Sequence, residues 1–211
     1  LMISALAIVS CSSDDDNSNN NNDNTVVVLE GNLETRTLTN DKKYLIKGQT
    51  FVRSGKTLTI EPGTIIKGDK ATKGTLVIDK GGKIIAEGTS VEPIVFTSAL
   101  APGTRDRGDW GGIVILGNAP VNQPDPAIEG ITPAVIFGGT NDSDNSGILK
   151  YVRVEYAGKK ITDGTSEMNG FSFYSVGSGT TLDHLVSYKG ADDGFEFYGG
   201  TVSATNLISY G

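Results

Sequence analysis

The sequence predicts an all-β chain built as a β-solenoid, and three observations indicate this fold class. Short apolar alternations recur 18, 18 and 19 residues apart, beginning at Leu58, Leu76, Ile94 and Ile113. Glycine-rich turns separate them, and the 211 residues include 28 glycines. No long stretch carries apolar residues at helical spacing. A fixed period near 20 residues of strand-type units is typical of stacked coils whose inward faces form one continuous core.

The same period predicts how the strands lie relative to one another. Because residues two apart in a strand share a face, both apolar positions of each alternation should point into the core. We expect parallel strands in register, with Leu58, Leu76, Ile94 and Ile113 stacked as one row. The second row would be Ile60, Ile78, Phe96 and Ile115.

Residues 1–11 are predicted to be the remnant of a secretory signal. The run Leu1 to Val9 is apolar, but it is too short to span a bilayer as a helix. It ends in Ile8-Val9-Ser10-Cys11, which resembles the lipobox of bacterial lipoproteins. That resemblance implies that Cys11 is acylated and becomes the mature N-terminus. Cys11 is the only cysteine, so it has no disulfide partner within the chain, and the alternative is an ordinary buried thiol.

Residues 12–24 are predicted to be a disordered tether, because they contain no apolar residue that could offset chain entropy by burial. The run Asp14-Asp15-Asp16 resembles the surface-export signal of Bacteroidetes lipoproteins, although simple solvation explains it equally. We expect an outer-membrane lipoprotein, exposed at the cell surface and attached through its acyl chains. Residues 25–211 hold all 18 basic residues and 21 of the 25 acidic ones, a net charge of −3, which argues against nucleic acid as a partner.

The rest of the chain divides into a cap and a solenoid. Residues 25–57 hold strand-like runs out of phase with the period, and we assign them to an N-terminal cap that shields the first coil. Residues 58–211 form the solenoid, and 118–147 loop off it as an insertion. Prolines, which remove ladder donors, are concentrated there (Pro120, Pro124, Pro126 and Pro133). The sequence stops within a repeat, so we expect that it is a fragment whose C-terminal coils are missing.

Longer repeats follow the insertion. Three strand-like runs end in Val154-Glu155-Tyr156, Val186-Ser187-Tyr188 and Ile208-Ser209-Tyr210, each followed by glycine within two residues. Phe171-Ser172-Phe173 and Phe195-Glu196-Phe197 lie 24 residues apart and are predicted to be a second strand of the same coil.

Four motifs together resemble a group of Bacteroidetes surface lipoproteins. They are Glu61-Pro62-Gly63-Thr64, Gly108-Asp109-Trp110-Gly111-Gly112-Ile113, Tyr151-Val152-Arg153-Val154-Glu155-Tyr156-Ala157-Gly158 and Gly190-Ala191-Asp192-Asp193-Gly194-Phe195-Glu196-Phe197. The resemblance covers about residues 55–211 and implies a right-handed parallel β-helix of the pectin-lyase-like class. It supplies no established catalytic residues.

The densest polar group comprises Asp183, His184, Asp192, Asp193 and Glu196. Sugar hydrolases need two carboxylates about 5 to 10 Å apart. Polysaccharide lyases of the resembling fold use Ca²⁺ on paired aspartates with a basic residue as proton acceptor. Asp192 and Asp193 could be that pair, with Lys189 or His184 as the base. The alternative is that Asp192-Asp193-Gly194 forms an Asx-type turn and that Glu196 points outward.

A second candidate is a Ca²⁺ loop beginning at Asp142. Asp142, Asp144 and Ser146 stand at positions 1, 3 and 5, followed by Gly147 and by Ile148, whose carbonyl would be the next ligand. Arg153 stands where the loop pattern has glutamate, so an ordinary polar loop is the alternative.

Trp110 is the only tryptophan and a candidate to stack on a sugar ring. Its alternative role is to cover the core between coils. Taken together, the sequence predicts a lipid-anchored surface β-helix protein that binds glycan or another surface component without catalysis. The alternative function is a polysaccharide lyase or glycoside hydrolase that uses Asp192, Asp193 and Glu196.

Overall fold

A computed structural model describes residues 25–122, 128, 131, 135–158 and 168–211. The predictions for Cys11, the signal remnant and the tether lie outside these residues, as do Pro124, Pro126 and Pro133.

The described part of the chain is all β, with fourteen strands joined in one sheet and no helix. The strands are β1 (Val26–Asn32), β2 (Arg36–Leu38), β3 (Lys43–Val52), β4 (Thr57–Ile60), β5 (Ile65–Gly68), β6 (Thr75–Ile78), β7 (Lys83–Glu87), β8 (Ile94–Ser98), β9 (Gly112–Leu116), β10 (Gly147–Glu155), β11 (Phe171–Tyr174), β12 (Thr181–Tyr188), β13 (Phe195–Tyr198) and β14 (Ala204–Tyr210). Every pairing between them is parallel. This confirms the predicted parallel β-helix.

Each coil contributes strands to three columns, which we name A, B and C. Column A stacks β2, β4, β7, and the first halves of β10 and β12. Column B stacks the first half of β3, then β5, β8, and the second halves of β10, β12 and β14. Column C stacks the second half of β3, then β6, β9, β11 and β13. The long strands β3, β10, β12 and β14 therefore turn a corner and serve two columns each.

The predicted single row of Leu58, Leu76, Ile94 and Ile113 is wrong. Leu58 lies in column A opposite Ile84, and Ile94 lies in column B opposite Val152. Only Leu76 and Ile113 are partners, in column C. The reason is that a coil has three strands, so a spacing of 18 residues advances two strands rather than one whole coil. The alternation within each strand was predicted correctly, since all eight apolar residues of the two proposed rows are buried.

The core fills the inside of the coil with stacked side chains of like kind. Phe171 and Phe195 are partners with ring centroids 5.2 Å apart, and Phe173 and Phe197 follow at 4.9 Å. The predicted pairing of the two aromatic strands is therefore confirmed. Such flat stacking lets successive coils repeat their spacing without cavities between them.

Column C is also covered on its outside. Its outward residues Phe51, Val77, Val114 and Leu116 form a second buried cluster with Ile128, Ile131, Val135, Phe137 and Met168. Most of the covering residues come from the insertion between β9 and β10. This second cover explains why β6, β8 and β9 read as unbroken apolar runs, and why β6 and β9 are buried at every position.

Residues 25–57, predicted to be the cap, contribute β1, β2 and β3. β3 pairs with β1 on one side and with β5 and β6 on the other. β1 pairs only with β3, and Val26 and Val28 on it are each 45% exposed. Among the described residues there is no helix with the length and hydrophobicity needed to cross a bilayer.

The motif Gly108-Asp109-Trp110-Gly111-Gly112 holds the coil together at the start of β9. Trp110 has no exposed surface; its Nε1 donates to the Glu155 carbonyl at 2.8 Å, and its ring stacks on Phe96. The indole therefore cannot stack on a sugar, which corrects its assignment as a ligand-binding candidate and supports the alternative role in the core. Gly112 has φ 86° and lies against the Asn169 carbonyl, so a side chain is excluded there.

Asp109 is a fully buried carboxylate that anchors the loop before β9. Its Oδ2 accepts from the Ser98 hydroxyl at 2.7 Å and from the Asp106 N–H at 2.9 Å. Its Oδ1 lies 2.8 Å from Lys70 Nζ. Burial alone favours the neutral acid, but these donors outweigh it, so the pKa of Asp109 is lowered. The buried charge is thus paired and fully used by the fold.

Candidate functional site

The outward face of column B carries two rows of side chains along the axis of the coils. We call this surface the column B face. The first row is Ile65, Val95, Arg153, Val186 and Ile208. The second row is Leu45, Lys67, Thr97, Glu155, Tyr188 and Tyr210. Because strands of the described column pair in register, residues far apart in sequence meet on this face.

One end of the column B face is a basic cavity of about 400 Å³. Its charged lining consists of four cations and one carboxylate: Lys43, Lys67, Arg105, Arg153 and Glu155. The whole chain, in contrast, has a net charge of −7. A local excess of positive charge on an acidic chain attracts anions to this place rather than to the surface in general.

Hydrogen bonds hold the middle of the face in a fixed arrangement. Arg153 Nε lies 2.6 Å from Glu155 Oε1, and the Thr97 hydroxyl donates to Glu155 Oε2 at 2.8 Å. Arg105 reaches the same place from the loop after β8. Its guanidinium donates to the Thr97 hydroxyl at 3.2 Å, and its Nε donates to the Leu100 carbonyl at 2.9 Å. The guanidinium groups are thereby preorganised before any ligand arrives.

The other end of the face is aromatic. Tyr188 and Tyr210 stack nearly parallel with ring centroids 5.8 Å apart, and Tyr156 meets the Tyr188 ring edge-on. A second cavity, of about 450 Å³, is lined there by Arg153, Glu155, Val186, Tyr188, Ile208 and Tyr210. It shares Arg153 and Glu155 with the basic cavity. The two cavities therefore form one groove, basic at one end and aromatic at the other.

The predicted polar group around Asp192 is spread around the coil. Asp183 and His184 lie in β12 at the corner between columns A and B, where His184 Nδ1 is 2.8 Å from Asp183 Oδ1. Hydrogen bonds from Asn206, His184 and Thr205 hold the pKa of Asp183 well below its usual range. Of the predicted group, these two residues are the ones that the structure brings into direct contact.

Asp192 and Asp193 lie in the exposed turn between β12 and β13. The Asp193 carbonyl accepts from the Gly170 N–H at 2.9 Å, so the described contact of Asp193 is made by its backbone. Glu196 points outward from column C, as the alternative reading predicted, and its carboxylate accepts from Asn169 Nδ2. Burial and hydrogen bonding to Glu196 raise the pKa of Tyr198 far above its usual range. Glu196 is thus engaged by neighbouring side chains, and Lys189 lies over the Tyr188 ring.

The polar loop beginning at Asp142 packs against the loop before β12. The Asp142 carbonyl accepts from the Ser178 N–H and hydroxyl, and Asp144 Oδ2 accepts from the Asn118 N–H at 3.1 Å. Ser146 is buried, and Ile148 lies inside β10 between β7 and β12. Among the described residues, no group of three or more His, Cys, Asp or Glu side chains is arranged to hold a metal ion. The loop oxygens are instead used to join coils.

Sequence reasoning missed Lys43, Lys67, Arg105 and the groove that they line with Arg153. Each is a single basic residue in an ordinary strand or loop, and 110 positions separate Lys43 from Arg153. Only the strand register brings them together. The one available signal was the repeated Tyr at the end of Val186-Ser187-Tyr188 and Ile208-Ser209-Tyr210, which the structure stacks.

Compared with known protein families, residues 31–211 match the pectate-lyase like beta helix domain. Comparisons with curated proteins and with solved structures give no match. The match spans most of the chain and agrees with the three parallel columns and with the side chains stacked between coils. This chain therefore belongs to the family of pectate-lyase-like beta-helix domains.

Proposed function

We propose that this protein binds an anionic polysaccharide in the groove of the column B face, without cleaving it. The observation that carries the proposal is the continuity of the basic and aromatic cavities through Arg153 and Glu155. Membership in a pectate-lyase-like family supports a carbohydrate-related role. Carboxylate or sulfate groups of the polysaccharide are the anions that the guanidinium groups would bind.

The two ends of the groove support two kinds of contact with the same ligand. Lys67 and Arg105 supply charge, while Tyr188 and Tyr210 supply flat apolar surface on which the C–H face of a sugar ring can lie. A straight groove along the coil axis suits a chain of repeating units, because each coil repeats the same pair of outward positions. A non-catalytic role is proposed because the Glu155 carboxylate is already bound by Arg153 and Thr97.

We further propose that the chain is a lipoprotein displayed at the cell surface through Cys11. The support is the sequence alone: an apolar run, a lipobox-like tetrapeptide and an acidic polar stretch. Metabolic labelling with a fatty acid should mark the wild-type protein, and Cys11→Ala should abolish the label. Label retained in that variant would contradict the proposal.

The binding proposal is tested by titrating the full chain with three polymers: polygalacturonate, dextran sulfate and neutral dextran. We expect one of the anionic polymers to bind and dextran not to bind; the two anionic arms distinguish carboxylate from sulfate. Lys67→Gln should weaken binding about three- to ten-fold, the scale of an exposed charged contact, and Tyr188→Ala by a similar factor. Added salt should weaken binding further.

Matched controls lie on the other columns. Lys83 is exposed on β7 in column A, so Lys83→Gln removes one charge without touching the groove. Tyr198 is 36% exposed on β13 in column C, so Tyr198→Ala is the aromatic control. Equal losses in the groove variants and in the controls would show that attraction is general rather than local. No binding of either anionic polymer would overturn the proposal.

A further inference from the structure

A third cavity opens at the corner between columns A and B, beside the groove. It has a volume of about 450 Å³, within the range of about 300–1,000 Å³ typical of small-molecule sites. Its lining is Tyr151, His184, Val186, Asn206, Leu207 and Ile208. Val186 and Ile208 also line the aromatic end of the groove, so the corner cavity and the groove are neighbours.

Three consecutive coils place equivalent residues at this corner. Tyr151, His184 and Asn206 have φ of 50°, 52° and 55°, the left-handed conformation that few side chains adopt. The Tyr151 and His184 rings stack with centroids 4.3 Å apart. The same bend repeated three times gives the cavity a rigid wall of stacked side chains rather than a mobile loop.

One carboxylate fixes the polar part of the cavity. Asp183 Oδ1 accepts from Asn206 Nδ2 and from the Thr205 hydroxyl, each at 2.8 Å, and lies 2.8 Å from His184 Nδ1. His184 Nδ1 is buried, whereas 41% of the side chain is exposed. The exposed edge of the imidazole therefore carries Nε2. With Nδ1–H directed to Asp183, neutral His184 presents Nε2 as a hydrogen-bond acceptor.

The position of the cavity decides what it can hold. The groove runs along the coil axis, whereas the corner lies to the side of the row that contains Val186 and Ile208. An unbranched chain in the groove leaves the corner unfilled, but a side branch at the level of Val186 reaches it. Val186, Leu207 and Ile208 offer an apolar wall, and Nε2 accepts from a hydroxyl, which suits an uncharged sugar ring.

We propose that the corner cavity binds a neutral sugar branch, so that the ligand of this protein is a branched anionic polysaccharide. The proposal rests on the proposed function, since the main chain of the same polysaccharide occupies the groove. It assigns separate tasks to the two sites: the groove binds the backbone of the glycan, and Tyr151 and His184 recognise its branch.

The test compares two polymers with the same backbone, unbranched polygalacturonate and xylogalacturonan, which carries single neutral xylose branches. The full chain should bind the branched polymer about ten-fold more tightly. His184→Asn should remove that advantage and leave the affinity for polygalacturonate unchanged. Tyr151→Asn provides a second variant, and asparagine suits both positions because it tolerates the left-handed conformation.

Tyr188→Ala serves as the comparison, because it should weaken both polymers and preserve the ratio between them. Equal wild-type affinity for the two polymers would overturn the branch proposal while leaving the groove in place. The same conclusion would follow if both corner variants weakened the two polymers equally. Failure of both polymers to bind would overturn the groove and the branch site together.

Discussion

Gly68 lies directly against the indole ring of Trp110. A Cβ placed at residue 68 would be 2.5 Å from Trp110 Cδ2 and Cγ, closer than real Cβ contacts come. Both residues are buried, and the ring is held by its stack on Phe96 and its hydrogen bond to the Glu155 carbonyl. Gly68 in β5 and Trp110 before β9 are therefore a matched pair, one small because the other is large.

Gly68→Ala should lower the free energy of unfolding by about 1–3 kcal/mol, because the indole cannot move away without losing its partners. Urea unfolding measures the change. Trp110→Leu supplies the matched background, since the smaller side chain leaves room for the methyl group. Gly68→Ala should cost clearly less in that background. Equal costs in the two backgrounds would show that steric conflict with the ring is not the cause.

Asp109→Ala should destabilise the fold by about 3 kcal/mol. The variant leaves the Asp106 N–H and the Ser98 hydroxyl without their acceptor and removes the ion-pair partner of Lys70. Lys70→Met should cost less, because the Lys70 side chain is 49% exposed and Asp109 keeps its other two donors. Thermal unfolding of both variants checks the order, and a larger loss for Lys70→Met would contradict it.

Acid should loosen β14 before it affects the first coils. Hydrogen bonds from Asn206, His184 and Thr205 lower the pKa of Asp183, so the folded protein releases this proton more readily than the unfolded chain. The stability from Asp183 is therefore present above the unfolded pKa of about 3.9 and is lost as the pH falls through the lower folded pKa. Hydrogen exchange at Leu207 and Ile208 should accelerate as the pH falls below about 4, after correction for the intrinsic rate.

Asp183→Asn is the control for that titration, because the amide has no charge to lose. In this variant the corrected exchange at Leu207 and Ile208 should be faster at neutral pH and should lose the dependence that Asp183 contributes. An unchanged acid dependence in Asp183→Asn would assign the effect to other groups.

Calcium should have little effect on stability. Asp144 Oδ2 accepts from the Asn118 N–H, so Asp144→Ala should cost about 1 kcal/mol, the scale of a lost capping bond, with or without the cation. The measurement is a thermal melt in EDTA and again in millimolar Ca²⁺. A large upward shift with Ca²⁺ that disappears in Asp144→Ala would instead establish a cation site in the loop.

The sequence was sufficient to predict the fold class but not the arrangement of strands around the coil. Alternation in Leu58-Thr59-Ile60 identifies the inward side chains, because that property belongs to the strand itself. Which strand stacks on which depends on loop lengths, and the long connection between Ser98 and Gly112 adds residues without adding a strand. The spacing between Leu58 and Leu76 therefore resembled a coil period although it crosses two columns.

The candidate site was predicted even less well, for a physical reason. Acidic residues that are neighbours in sequence, such as Asp192 and Asp193, attract attention in a linear reading. The groove instead depends on Lys67, Arg105 and Arg153, which come from separate coils. A basic side chain on an outward position has no local signature, because the surrounding strand folds equally well without it. Only the burial of Val77 and Val114 was visible beforehand, as unbroken apolar runs in β6 and β9.

The separation of inward and outward positions along column B has a consequence for how such a protein diversifies. Inward residues such as Ile66, Phe96 and Val154 carry the packing, whereas their neighbours Lys67, Thr97 and Glu155 carry recognition. Replacing outward residues one coil at a time can change what is recognised while the scaffold keeps its stability. Duplicating a coil would lengthen the recognised segment by one more pair of positions, so ligand length and ligand chemistry can evolve independently.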